Sequence, residues 1–239
     1  MSLATNLQSR FKGLQDARRA ELKRAILNLL EKGKYSRLLD LGCSNGDFTV
    51  ELGNRINTPL LYGIEIVEES VNQARQQGIN VYRSDLNTPF PFGDESIDVV
   101  HAKEMLEHLH HTGLFLKEIY RVLVHWGYTI ITVPNLAAWH NIFCLLWGWQ
   151  PFPTNMSDEI VLGNPLSYNY KINPANGSFP LHFRIPTYRA LKELLEYHSF
   201  KVERMIGVGY YPFWGAASRP MAYLDPRHSA YLVIKGRKQ

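Results

Sequence analysis

The sequence predicts an α/β fold, with a mostly parallel sheet of seven strands and helices on both faces. Three observations carry this. Short apolar runs alternate with helix-spaced segments over residues 37–134, the order that gives parallel strands joined by crossover helices. A chain of 239 residues, 45% apolar and 20% charged, can bury one full core without staples. Its two cysteines, Cys43 and Cys144, stand too far apart for a disulfide framework or a CxxC zinc pattern, which fits a reducing compartment.

The elements follow in order. Residues 4–31 read as helix, with Ala17, Ala20, Leu22, Ala25, Ile26, Leu29 and Leu30 near helical spacing and Lys32-Gly33 as a stop. RLLDLG (37–42) is a buried strand ending in glycine, and 46–54 a helix. PLLYGIEI (59–66) is the second strand, 68–77 a helix closed by Gly78, and INVYRSD (79–85) the third strand. SIDVVHA (96–102) is the fourth, 112–123 a helix with Leu114, Leu116, Ile119, Val122 and Leu123 inward, and YTIITVP (128–134) the fifth. Residues 187–200 form an amphipathic helix, 201–209 a sixth strand and 229–236 a seventh. Ligands of such sheets sit at the carboxyl ends of the strands.

Residues 135–185 break this rhythm. They hold Trp139, Phe143, Trp147, Trp149, Phe152, Tyr168, Tyr170, Phe179 and Phe183, together with five prolines. A structured cap is expected there rather than a long bare loop. The whole of 1–239 reads as a single domain, with 1–34 as an N-terminal helical segment and 135–185 as the cap insertion.

The net charge of +4 is spread along the chain, so nucleic acid is not expected as a partner. No apolar run precedes a cleavage site at the N-terminus, and a cytoplasmic location is expected. The longest apolar stretch, Leu136–Trp149, contains His140 and Asn141; it is short of the roughly 20 residues a bilayer span needs.

The first strand-to-helix turn is LLDLGCSNGDFT (38–49). Gly42 and Gly46 permit a tight turn and close approach of a ligand to the backbone. A dinucleotide fingerprint wants glycine at 42, 44 and 47, where this chain has Gly42, Ser44 and Asp47, and a phosphate loop wants the missing GK[ST]. Glu65 ends the second strand, where a carboxylate can accept from both hydroxyls of a ribose. Asp85-Leu86 ends the third strand, just ahead of Pro89 and Pro91, so turn capping is an alternative role for Asp85.

Asp40-Leu41-Gly42-Cys43-Ser44-Asn45-Gly46 resembles the first motif of the class I S-adenosylmethionine-dependent methyltransferases, with Ser44 in place of the middle glycine. The segment SIDVVHAKEMLEHL (96–109), LKEIYRVL (116–123) and TVPN (132–135) are similar to the methyltransferase 11 type, which includes enzymes resembling those of ubiquinone and menaquinone biosynthesis. His125-Trp126-Gly127 stands where that family often has Pro-Gly-Gly. The resemblance covers about residues 35–135 well and 181–206 loosely, and leaves the cap uncovered. It implies a Rossmann-like fold with an antiparallel last strand and S-adenosylmethionine as cofactor. It also implies cofactor contacts from Asp40, Gly42, Ser44, Gly46, Glu65, Ile66, Asp85, Leu86, His101 and Ala102.

The acceptor side is less sharply marked. His101 falls at the end of the fourth strand, where the resemblance directs the methyl group, and His182 precedes the helix near Thr187. A neutral imidazole can take a proton from an attacking hydroxyl near physiological pH; His182 is the preferred base and His101 the second candidate. Both residues also have packing or structural roles as alternatives. His101, His108, His110 and His111 cluster in sequence without an HExxH pattern, and no metal is expected. The cap aromatics read as a local core, as a lid excluding water from an apolar acceptor, or as a membrane-surface contact through Trp147, Trp149 and Phe152. The last lacks a Lys/Arg-rich polar face. The expected function is methyl transfer to a small, partly apolar molecule; RNA or protein methylation and cofactor binding without catalysis are the alternatives.

Overall fold

The computed structural model describes residues 17–32, 36–167, 170–171, 181–211, 213 and 217–239. The start of the expected N-terminal helix and the cap positions Tyr168, Pro174, Phe179 and Pro180 lie outside the described residues. Helix α1 covers 17–29. Strand β1 (Leu38–Leu41), helix α2 (Asp47–Ile56), β2 (Leu61–Glu65), α3 (Glu68–Gln76), β3 (Asn80–Arg83), β4 (Ile97–Lys103), α4 (Thr112–Val122) and β5 (Leu123–Pro134) then alternate. Helix α5 (Trp139–Leu146) opens the cap; α6 (Tyr188–Tyr197), β6 (Phe200–Val208), α7 (Ser218–Leu224) and β7 (Tyr231–Lys238) complete the order.

The sheet has seven strands in the order β3-β2-β1-β4-β5-β7-β6. β1 pairs in parallel with β2 and β4, β2 with β3, and β4 with β5. β7 runs antiparallel between β5 and β6, as the resemblance implied. The order reverses at β1, so the crevice between β1 and β4 at their carboxyl ends is the topological switch point where α/β sheets bind ligands.

Side chains alternate across the strands and build a core on each face. Leu22 and Ile26 of α1, Leu52 and Ile56 of α2, and Val71 and Ala74 of α3 bury against Leu38, Val81, Val99, Ile130 and Val233. Phe115, Leu116 and Ile119 of α4 and Leu191 and Leu195 of α6 bury against Leu39, Leu41, Val100, Ala102, Ile131 and Ile234. The continuous apolar runs of the central strands follow from this double coverage.

Two elements differ from the periodicity reading. β5 begins at Leu123, directly after α4, and includes His125-Trp126-Gly127. Trp126 takes φ 65, and a Cβ at Gly127 would stand 2.9 Å from the Val124 carbonyl oxygen and 3.0 Å from that of Asp98. Backbone crowding, not propensity, thus puts the glycine there. The short α7 (Ser218–Leu224) carries no marked helical pattern in the sequence.

Candidate active site

The β1–α2 turn owes its shape to three left-handed residues: Gly42 (φ 74), Ser44 (φ 51) and Gly46 (φ 91). A side chain at Gly46 would meet Ile79 at 2.5 Å and the Ala74 Cα at 3.1 Å; one at Gly42 would meet Met105 Sδ at 2.4 Å. Gly46 is therefore fixed by packing on α3, whereas Gly42 admits the side chain that follows β4. The turn is tied down by Gly42 N–H to the Ile64 oxygen (2.8 Å) and Gly46 N–H to the Cys43 oxygen (3.0 Å). Burial, with Asp40 and Glu65 nearby, pushes the Cys43 thiol up to about 12, so it stays protonated and is no nucleophile.

Glu65 reaches from the end of β2 back to this turn. Its Oε2 accepts from the Ser44 N–H (2.9 Å), and its Oε1 from the N–H groups of Ile66 (2.8 Å) and Val67 (2.9 Å). The backbone thus fixes the carboxylate's direction, while ionised oxygens keep acceptor capacity for two hydroxyls. Ile66 beside it is 57% exposed, an apolar face with no protein cover. Asp85 accepts from its neighbour Asn87 through the backbone (2.8 Å) and the side chain (3.0 Å) on Oδ1. It therefore caps its own turn, and Leu86 is buried behind it.

Asp40 and His101 lie one layer deeper. They are register partners across the β1–β4 pair, so their side chains point to the same face. His101 Nδ1 stands 2.7 Å from Asp40 Oδ1, and Thr49 donates to Asp40 Oδ2 at 2.6 Å. His101 is 1% exposed, its ring edge lies on Phe48 at 5.4 Å, and its Nε2 has no partner among the described residues. The imidazole therefore packs on α2, with Nδ1 held by Asp40. Ala102, next along β4, points to the opposite face and is fully buried.

The second group of candidate residues gathers around a 3₁₀ turn, Leu106–His108. Phe183 N–H donates to the Glu107 carbonyl oxygen (2.7 Å), and the Arg184 guanidinium donates to the carbonyls of Leu109 (3.2 Å) and His110 (2.8 Å). This pairing draws His182 beside His108, with ring centroids 4.7 Å apart. His182 Nδ1 donates to the Pro153 oxygen at 2.6 Å, which leaves Nε2 as the reactive nitrogen of the neutral ring. Burial holds the His182 ring below the usual imidazole range, and it raises the Glu107 carboxyl to about 8. Sequence spacing offered no signal for the His108–His182 pairing: His108 stands with His110 and His111 in sequence, but its ring partner comes from a distant segment.

The cap is pinned by buried amides. Asn141 donates to the Asn135 oxygen (3.0 Å), and Asn164 to the Gln150 oxygen (2.8 Å). Trp139 donates to the Tyr210 hydroxyl at 2.6 Å, and Tyr210 to Asp225 at 2.8 Å. Trp139, Phe143 and Trp147 are nonetheless 45%, 48% and 63% exposed, so the cap aromatics do not form a closed core of their own. Among the described residues, no helix is long and apolar enough to cross a membrane.

Comparison with known proteins bears on this arrangement. Residues 39–131 match the family model described as a methyltransferase domain. The chain is 33% identical over 121 residues to a bifunctional methionine biosynthesis protein MetXA/MetW of Rhodopirellula baltica, covering 47% of this chain and 19% of that one. It is 26% identical over 201 residues to a probable S-adenosylmethionine-dependent methyltransferase of Mycolicibacterium smegmatis, covering 82% of this chain and 61% of that one. The chain thus spans less than two thirds of the length of these relatives. A crystal structure of an S-adenosylmethionine-dependent methyltransferase from Mesorhizobium loti superposes with TM-score 0.61 at 17% identity, covering 94% of this chain and all of that one (100%), a likeness of fold. With the glycine turn at the switch point and the antiparallel seventh strand, these matches make residues 39–131 similar to a methyltransferase domain and the fold similar to that of S-adenosylmethionine-dependent methyltransferases.

Proposed function

We propose that the protein transfers the methyl group of S-adenosylmethionine to a small, partly apolar acceptor. The observation that carries the reading is the Gly42–Gly46 turn facing the backbone-oriented carboxylate of Glu65. Gly42, Ser44 and Gly46 give the methionine part close access to the backbone. Glu65 accepts from the ribose hydroxyls, Ile66 packs on the adenosine, and Asp85-Leu86 line the adenine end. Asp40, His101 and Ala102 act from beneath, holding the floor of the site.

The acceptor's lone pair attacks the methyl carbon as the carbon–sulfur bond breaks, releasing S-adenosylhomocysteine. The sulfonium is already activated, so the chain's work is alignment and removal of the acceptor's proton. In this reading His182 takes that proton, and the half-exposed aromatics of 135–185 cover an apolar acceptor.

Calorimetric titration with S-adenosylmethionine tests the first part: one site per chain is expected, and no binding rejects it. Incubation with labelled cofactor and separate pools of small metabolites, RNA and protein tests the second. Label is expected in the small-molecule pool; label only in RNA or protein overturns the acceptor class. Binding without turnover in any pool favours a non-catalytic cofactor-binding protein.

A further inference from the structure

Three side chains meet at the turn after β4 that methyl transfer does not require as a set. Glu107 and His108 come from the 3₁₀ turn, and His182 from the segment before α6. One ligand atom from each lies within 4.8 Å of the other two. Both imidazoles are held the same way: His108 Nδ1 donates to the Leu181 carbonyl (2.9 Å) and His182 Nδ1 to the Pro153 carbonyl (2.6 Å). A carbonyl can only accept, so each neutral ring carries its hydrogen on Nδ1 and its lone pair on Nε2. Metal-ligating histidines are commonly oriented by a carbonyl in this way.

The carboxylate gives an independent indication. Glu107 is 1% exposed, and its Oε2 has no hydrogen-bond partner among the described residues. A buried carboxyl oxygen left alone is costly; it calls for a proton, a water or a cation. Here two imidazoles, His108 and His182, stand beside the carboxyl group.

We propose that Glu107, His108 and His182 form a binding site for one divalent transition-metal ion of the zinc type. Two imidazole nitrogens and one carboxylate oxygen suit zinc, cobalt or ferrous iron better than magnesium or calcium, which favour all-oxygen shells. Tetrahedral zinc with ligands at about 2.0–2.2 Å sets its donors about 3.4 Å apart, so closure needs roughly an ångström of side-chain rotation. Three protein ligands leave one position open. Met105, whose sulfur borders Gly42, precedes the turn, so the site adjoins the proposed cofactor loop.

The catalytic consequence, unlike the binding itself, rests on the methyl-transfer reading. A hydroxyl acceptor takes the open position and loses its proton to water on coordination. Its oxygen then forms the new bond to the methyl carbon, and the carbon–sulfur electrons stay on the departing S-adenosylhomocysteine. His182 acts in that case as a ligand, and the ion takes over the activation assigned to a base.

The test is metal binding, read apart from turnover. The full chain is stripped with chelator and titrated with Co²⁺, following the visible d–d bands and the metal content after gel filtration. One equivalent per chain is expected, displaced by Zn²⁺. His108→Gln, His182→Gln and Glu107→Gln each weaken it by more than the roughly 10–100-fold typical of outer-shell changes, while His110→Gln does not. S-adenosylmethionine binding and circular dichroism in the same variants show whether the fold stands, and failure of cofactor binding in the wild type would count against the methyl-transfer reading alone. No stoichiometric Co²⁺ in the wild type, or equal binding in a folded His108→Gln/His182→Gln variant, overturns the metal site.

Discussion

The proposed cofactor half and the proposed acceptor half of this molecule are built differently. The first, at the ends of β1 to β4, is made from short strand-to-helix turns whose key residues lie within a few positions of one another: Gly42 to Gly46, Glu65 with Ile66, Asp85 with Asn87. It rests on a fully buried hydrogen-bond set, Thr49–Asp40–His101. The second is assembled from segments far apart in sequence. Backbone carbonyls and amides do the joining, and its aromatics remain half exposed. The first half ties stability to its enclosed Thr49–Asp40–His101 set, whereas its Glu65 and Asp85 bonds are exposed. The second should leave stability nearly independent of acceptor chemistry.

That contrast is broken most sharply at Asp40. Asp40→Ala strands the Thr49 hydroxyl and a His101 ring nitrogen in the core, and should lower the unfolding free energy by about 3–5 kcal/mol. Urea denaturation of the two proteins measures this. A loss under 1 kcal/mol would show that the buried set carries no weight in the cofactor half.

Within the cap, His140 links the acceptor half to pH. Its ring packs on Phe152 and Tyr211, and burial, with a smaller effect of the Arg18 charge, lowers its pKa to about 4, well below the usual imidazole value of about 6.5. The unfolded chain therefore binds a proton that the folded chain refuses. Stability is unaffected above pH 6.5 and falls as pH drops from there towards 4. The contribution at pH 4.5 is about 2–3 kcal/mol. Unfolding curves at pH 7 and pH 4.5 should show His140→Gln losing less than the wild type by that amount; equal losses would mean that the ring is solvated.

Glu65→Ala separates binding from stability inside the cofactor half. Loss of charge-assisted hydrogen bonds should weaken S-adenosylmethionine by about 2–3 kcal/mol. The three freed backbone amides lie at exposed positions and can turn to water, so melting of the unliganded protein should move little. Unchanged affinity by titration calorimetry removes Glu65 from the site.

The smallest stability effect is expected at Trp147. At 63% exposure, Trp147→Ser should change stability by about 0.5 kcal/mol or less. If the cap covers the acceptor, kcat/KM for the acceptor should still fall, and KM for the cofactor should not. Parallel losses in both constants would assign Trp147 to the cofactor half.

What the sequence determined by itself is what depends on neighbours along the chain. Alternating strand and helix periods, Gly42 and Gly46 at a turn, and Glu65 at a strand end are all local patterns, and the sheet and the proposed cofactor loop were legible from them. β5 ran longer than its apolar run because pairing with β4 continued past the Trp126-Gly127 crowding. Residues brought together by non-local pairing could not be read in this way. Asp40 and His101 meet because two parallel strands adopt one register, and a single-residue slip would send one of them to the other face. His108 and His182 meet because Phe183 and Arg184 donate to the carbonyls of Glu107, Leu109 and His110. Main-chain amides and carbonyls are the same in every residue, so no side-chain pattern records which segments they join; tertiary structure alone decided that Glu107, with its unpartnered oxygen, would lie beside two oriented imidazoles.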